Sequence, residues 1–213
     1  MPGEGWLSIS QLPPRADRWL LGDGALTGHA LDDGAEARRI ESLVGEPIPP
    51  DLRLRGTDRR DHDPVATDAR STVLFAYPAT STPGVPTDLT GAQIPGRAGR
   101  TLESRRFRAA WPRFQAAGIA VHGVSTQSPQ EQAAFAHAEN LPFPSLSDVQ
   151  FQLASAPRLP TFRAGQNLRL KRLILVVGPD RTVQHTLFPI SDIPAAVSHA
   201  LALADADHRD ISR

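Results

Sequence analysis

Three short apolar runs constrain the fold of this chain more than any other feature. Ser71–Tyr77 (STVLFAY), Ile119–Val124 and Arg172–Val177 are each too short for an ordinary helix and nearly free of charge. Such runs read as strands buried on both faces of a sheet. Helix-period segments lie between them. In Thr101–Ala117, Phe107, Trp111 and Phe114 fall at i, i+4 and i+7, which makes one apolar face, and Gly118 supplies a stop. Pro112 sits inside that segment and is expected to kink it or interrupt its hydrogen-bond ladder. Pro129–Asn140 is an alanine-rich helix with Phe135 inward, and Val149–Ala156 a short one. Thr182–Leu187 follows Arg172–Val177 as its antiparallel neighbour, and Ile193–Ala204 closes the chain as a helix. This order of elements predicts an α/β fold with a mixed central sheet flanked by helices.

Ahead of Ser71 the pattern is weak. Residues 1–70 are rich in proline, glycine and charge, with a short helix expected at Ala35–Leu43 and a solvated loop over Arg53–Arg70. The organisation expected is an N-terminal extension over 1–42 and one domain over 43–213. Ala79–Gly99 reads as a long turn-rich loop. With 213 residues and 40% hydrophobic content, the chain can build one core.

Composition excludes several functions. Basic and acidic side chains balance at 23 each, so there is no electrostatic footprint for nucleic acid. No apolar run approaches the roughly 20 residues a membrane span needs, and MPGEGWLSIS lacks the form of a signal peptide, so a cytoplasmic protein is expected. Twenty-two of the 23 basic residues are arginine, and Lys171 is the sole lysine. There is no cysteine, which removes disulfides, thiolate metal sites and thiol nucleophiles from these residues. Asp61-His62-Asp63 resembles a metal motif only superficially, because adjacent side chains rarely aim at one ion. No glycine-rich nucleotide fingerprint, P-loop lysine or serine nucleophile elbow is present, and neither metal nor cofactor is expected.

Five segments, in order, carry a resemblance. They are VLFAYP (Val73–Pro78), FRAAWPRFQAAGIAVHGVSTQSP (Phe107–Pro129), LPFPSLSD (Leu141–Asp148), RLPTF (Arg158–Phe162) and KRLILVVGPD (Lys171–Asp180). Together they resemble the peroxiredoxin (AhpC/TSA) family, nearest its PrxQ-like branch, over roughly Leu43–Ala204. The resemblance implies a thioredoxin-like fold, a monomer or homodimer, and normally reduction of hydroperoxides by a cysteine thiolate.

Two registers place the missing cysteine. In one, Pro78–Val85 mimics the family's Pro-x-x-x-Thr-x-x-Cys loop and Val85 stands for the nucleophile. In the other, Pro95–Arg105 replaces the run Gly-Cys-Thr-x-Glu-x-Cys, with Arg100 and Arg105 at the two cysteine positions, Thr101 at the Cys-Thr step and Glu103 at the acidic position. The second register also aligns Phe107-Arg108, Trp111 and Phe114. In either register the replacement is no nucleophile, since valine has no reactive group and arginine stays protonated.

The resemblance further implies that Arg172 matches the arginine that orients peroxide in the family. Its bland alternative is an arginine paired to a carboxylate. Arg100 at a helix start opposes the macrodipole, and Arg97, Arg105, Arg106 and Arg108 add charge nearby. Either Glu103 pairs with Arg100 in a solvated helix start, or Arg100, Arg172 and helix N–H groups form an anion pocket. Tyr77, beside the loop, is a pocket-shaping or packing residue. Thr101 is a helix cap or a ligand contact. His122 reads as a satisfied histidine, and His185 as a neighbour of the site.

Arg100, Arg172, Tyr77 and Glu103 are therefore the candidate catalytic residues, with Thr101, Arg97, Val85 and His185 as binding residues. Three functions remain open: a repurposed non-redox enzyme acting on a small polar or anionic molecule, possessing the scaffold for a specialised biosynthetic step; a ligand-binding or sensing protein; and a protein-interaction module.

Overall fold

The computed structural model describes residues 33–79, 100–164 and 166–211. All of these belong to one compact unit, Asp32–Arg213. Its first helix, α1 (Asp33–Glu41), precedes Leu43, where the sequence reading opens the domain. Ile40, at its C-terminal end, is 1% exposed and packs into the core, as does Leu43.

Nine strands follow: β1 (Leu54–Gly56), β2 (Asp61–His62), β3 (Ser71–Ala76), β4 (Ile119–Ser125), β5 (Ser145–Ser147), β6 (Thr161–Ala164), β7 (Asn167–Leu170), β8 (Leu173–Val177) and β9 (Val183–Leu187). Helices α2 (Arg100–Ala116), α3 (Pro129–Ala138), α4 (Gln152–Ser155) and α5 (Ile193–Ile211) complete the described elements. Seven strands form a single sheet in the order β2-β1-β5-β4-β3-β8-β9. The β3–β4 and β4–β5 pairs are parallel, while β3–β8, β8–β9, β1–β5 and β1–β2 are antiparallel. The sheet is mixed, as the sequence predicts. β6 and β7 form a separate hairpin.

Burial explains why the strand runs are continuously apolar. Along β3 and just past its end, Val73, Phe75 and Tyr77 join one core cluster while Leu74 and Ala76 join another. β8 divides in the same way, with Ile174 and Val176 in the first cluster and Leu173, Leu175 and Val177 in the second. A strand whose side chains alternate between two buried faces needs an apolar residue at every position. The first cluster takes Phe107 and Phe114 from α2 and Val197, Ala200, Leu201 and Ala204 from α5. The second takes Ile40 from α1 and Leu153 and Ala154 from α4. Between them, helices cover both faces.

Three details differ from the sequence reading. Arg53–Arg70 is not all loop: β1 and β2 lie in it, paired through Leu54↔His62 and Arg55↔Asp61, and Leu54 is buried. Their brevity and exposed charged members hide the strand pattern. The hairpin β6–β7 had no predicted counterpart. The helix expected at Val149–Ala156 contracts to the four residues of α4. Asp148 fixes its start by accepting bonds from the Leu153 and Ala154 N–H groups. Helix α2 continues past Pro112, which interrupts its ladder as the sequence reading allows, by removing the N–H that would bond the Arg108 carbonyl.

Among the described residues, no helix is long and apolar enough to cross a membrane.

Candidate functional site

Sheet register brings two of the expected residues together. The β3–β8 ladder ends at Ala76↔Leu173, so Tyr77 and Arg172 follow at the same end of the sheet. Tyr77 continues the β3 path, donating its N–H to the Val124 carbonyl at 3.0 Å. Helix α2 begins at Arg100 and presents Glu103 in its first turn. Glu103 and Phe107, one turn apart, share the face of α2 that enters the core, and both are 0% exposed.

Glu103 turns inward and pairs with Arg172. Its Oε2 accepts a hydrogen bond from Arg172 Nε at 2.9 Å, with side-chain exposures of 12% for the arginine and 1% for the glutamate. The other oxygen, Oε1, is buried with no hydrogen-bond partner. Burial pushes the Glu103 carboxyl up from its ordinary 4.5 to about 7, with the Arg172 charge and hydrogen bond pulling the other way. Desolvation therefore outweighs the ion pair, as expected for a carboxylate withdrawn from water.

A carboxyl with a raised pKa holds more protons folded than unfolded between the two values. Its contribution to stability consequently falls as pH rises through that window. The window for Glu103 runs from 4.5 to about 7. We expect the unfolding free energy of wild type minus that of Glu103→Gln to fall by roughly 3 kcal/mol between about pH 5 and about pH 8. Urea titrations of both proteins at the two pH values measure this, and a constant difference would contradict it.

Tyr77 is 1% exposed, and its hydroxyl donates to Gln132 Oε1 on α3 at 3.0 Å. Burial raises its pKa; the neighbouring Ser145 hydroxyl partly offsets this and the Glu103 charge adds to it. The phenol is held neutral, a hydrogen-bonding wall rather than a base. Gln132, itself fully buried, is fixed because its Nε2 donates towards the Ser125, Gln127 and Leu146 carbonyls at 3.2–3.3 Å. Ser145 Oγ lies buried alongside without a hydrogen-bond partner. Close approach here depends on Gly123. A Cβ at that position would stand 2.9 Å from Phe75 Cζ, 3.0 Å from Ser145 Oγ and 3.2 Å from Tyr77 Cε1.

Neither Gln132 nor Ser145 was among the expected site residues. A signal for Gln132 did exist, since it shares a helical face with Phe135 and Ala136, both buried.

The remaining expected residues separate. Thr101 is the second residue of α2, inside the helix rather than capping it. His185 lies on β9 opposite Val176, four residues along β8 from Arg172, or about 13 Å at strand spacing. It is not part of the Glu103–Arg172–Tyr77 group. Val85, Arg97 and the Arg100 side chain lie outside the described residues. Arg105 turns away to α3, binding Glu139 through Nε at 2.6 Å and Nη2 at 2.9 Å, and Arg108 bonds the Glu139 carbonyl. Arg105 and Arg108 thus converge on Glu139 and not on Glu103.

Other titratable residues have local partners. His122 Nδ1 lies 2.9 Å from the Pro64 carbonyl, and burial lowers its pKa. Asp61, His62 and Asp63 are held by Arg55, Asp58 and Arg181 respectively, three different directions.

Comparison with known proteins agrees with this fold. The AhpC/TSA family profile matches residues 98–186, which span α2 and nearly all of β9. A Mycobacterium tuberculosis protein assigned to the peroxiredoxins is 29% identical over 130 residues, covering 61% of this chain and 75% of its own length. The peroxiredoxin bcp1 of Schizosaccharomyces pombe is 34% identical over 113 residues, 52% of this chain and 49% of that protein. Among solved structures, peroxidoxin BcpB from Mycobacterium tuberculosis superposes with a TM-score of 0.62 at 25% identity, over 76% of this chain and 96% of that one. With sheet and similarity in agreement, the chain carries an AhpC/TSA-type region over residues 98–186 on a peroxiredoxin-like, thioredoxin-type fold, with no cysteine in its 213 residues.

Proposed function

We propose that this protein uses the place of the family's peroxide site for thiol-independent chemistry on a small polar molecule. The carrying observation is the buried Glu103–Arg172 pair. A buried ion pair is commonly no more stable than hydrocarbon of the same shape, so a scaffold kept only for its fold has little physical reason to hold one. Peroxide reduction itself needs a thiolate to attack the O–O bond and a second thiol to resolve the sulfenic acid. This chain supplies neither.

In this reading Arg172 orients the substrate and stabilises developing negative charge, Glu103 holds or accepts a proton at Oε1, and neutral Tyr77 shapes the wall. The reading extends to a cytoplasmic enzyme of a specialised biosynthetic pathway that associates, where it associates, as a homodimer.

The test is incubation with a metabolite extract, followed by mass spectrometry of bound and transformed species. A mass retained or converted by wild type and lost with Arg172→Met is the expected result. A profile identical for both proteins would remove the proposal. Hydrogen peroxide supplied with thioredoxin or dithiothreitol is expected to decay at the protein-free rate.

A further inference from the structure

The bonds around Glu103 contain a preference for one kind of ligand. Arg172 carries the nearby positive charge among the described side chains of the site, and Glu103 Oε2 already answers it. Arg105 and Arg108 are committed to Glu139. What the group lacks is a donor, because Glu103 Oε1 is a buried acceptor with nothing bonded to it. A buried polar atom left in this state calls for a hydrogen-bonding partner. A cationic donor is disfavoured, since it would be placed beside the Arg172 guanidinium.

Resting on the reading above that the site is used for a small molecule, we propose that Glu103 Oε1 is a recognition point for a neutral hydrogen-bond donor. The ligand is a small molecule presenting a hydroxyl or amide N–H, and inorganic or carboxylate oxyanions are excluded. The Oε1 acceptor takes the donor, and Arg172 holds the carboxyl so that this oxygen faces it. Tyr77, whose hydrogen goes to Gln132, does not compete for the acceptor.

Substituting Glu103→Gln tests this with a built-in inversion. Arg172 Nε still requires an oxygen, which fixes the amide so that its NH2 group stands where Oε1 stood. A site that accepted from the ligand would then donate to it.

The measurement is protein NMR at about pH 8, where the Glu103 carboxylate predominates. The Arg172 Nε–H signal is followed during titration with propane-1,2-diol and acetamide as donors, and with acetate and sulfate as acceptor-only probes. In wild type, the diol and acetamide should shift the signal and the anions should not. In Glu103→Gln the diol affinity should fall about tenfold or more, with acetate gaining.

The wild-type ranking decides the matter even if the variant fails to fold. Anions shifting the signal more than the donors would overturn this inference while leaving the broader reading intact. No response to any of the four probes, as expected if no ligand reaches the buried Oε1, would also overturn it. The broader reading stands or falls separately on the metabolite experiment.

Discussion

Substituting Arg172→Met should lower the unfolding free energy by about 3–5 kcal/mol near pH 8, the range typical of breaking a buried ion pair from one side. The loss arises less from the missing bond than from what remains. Glu103 is 0% exposed and would keep a carboxylate in the core with neither oxygen bonded. The carboxyl would then bind a proton more readily, because its chief stabilising partner is gone. The loss should therefore shrink at about pH 5, where the group is already protonated. Adding Glu103→Leu to Arg172→Met should restore most of the stability, since hydrocarbon of similar volume tolerates the site better than half a pair. A double-mutant cycle by urea denaturation measures this coupling. Additive losses would mean that the two side chains are not energetically joined.

The other large effect is expected at Phe107. Substituting Phe107→Ala should cost about 3–5 kcal/mol, the usual range for deleting a buried ring. Phe107 is 0% exposed and stacks on Phe75 at 4.2 Å between centroids with 16° between planes. Phe114 and Phe143 stand at 5.8 and 6.5 Å around it. The cavity would open against rigid strands on one side and α2 on the other, and neither closes by a side-chain rotation. Because Glu103 lies one turn earlier on the same helix, the variant should also flatten the pH dependence tied to that carboxyl. Trp111→Ala should cost distinctly less, since Trp111 is only partly buried and meets Phe143 at 5.7 Å in a tilted contact. Equal losses at the two positions would show that the ring cluster does not anchor α2 as described.

The three aromatics of α2 illustrate how much the sequence could disclose. Their spacing identified the helix and its inner face, but not the different depths at which they pack. The same holds for the strands. β3 and β8 were legible because burial on both faces leaves an unbroken apolar run, a signal that survives without any partner. β1 was not, since in three residues it alternates buried, exposed and buried around Arg55, and its identity comes from pairing with β5. At the site, Glu103 and Arg172 were each singled out through the family pattern. Their union, across 69 residues of chain, exists only through the end of the β3–β8 ladder. The sequence offered Arg100, three residues away, as one of the partners for Glu103, because helical spacing is the one proximity that sequence displays directly. Gln132 and Ser145 were missed for a similar reason: a polar residue reads as exposed until the network that satisfies or strands it is known.

Lys171, next to the central arginine, is paired with Glu36 of α1, a glutamate only 4% exposed. It is also the sole lysine in the chain. Amine acylation can therefore modify just one side chain, and that amine is engaged by the Glu36 carboxylate. The rate at which acyl mass accumulates on Lys171, separated from the N-terminal amine by peptide mapping, is a chemical clock for opening of the Lys171–Glu36 contact between α1 and the residue before β8.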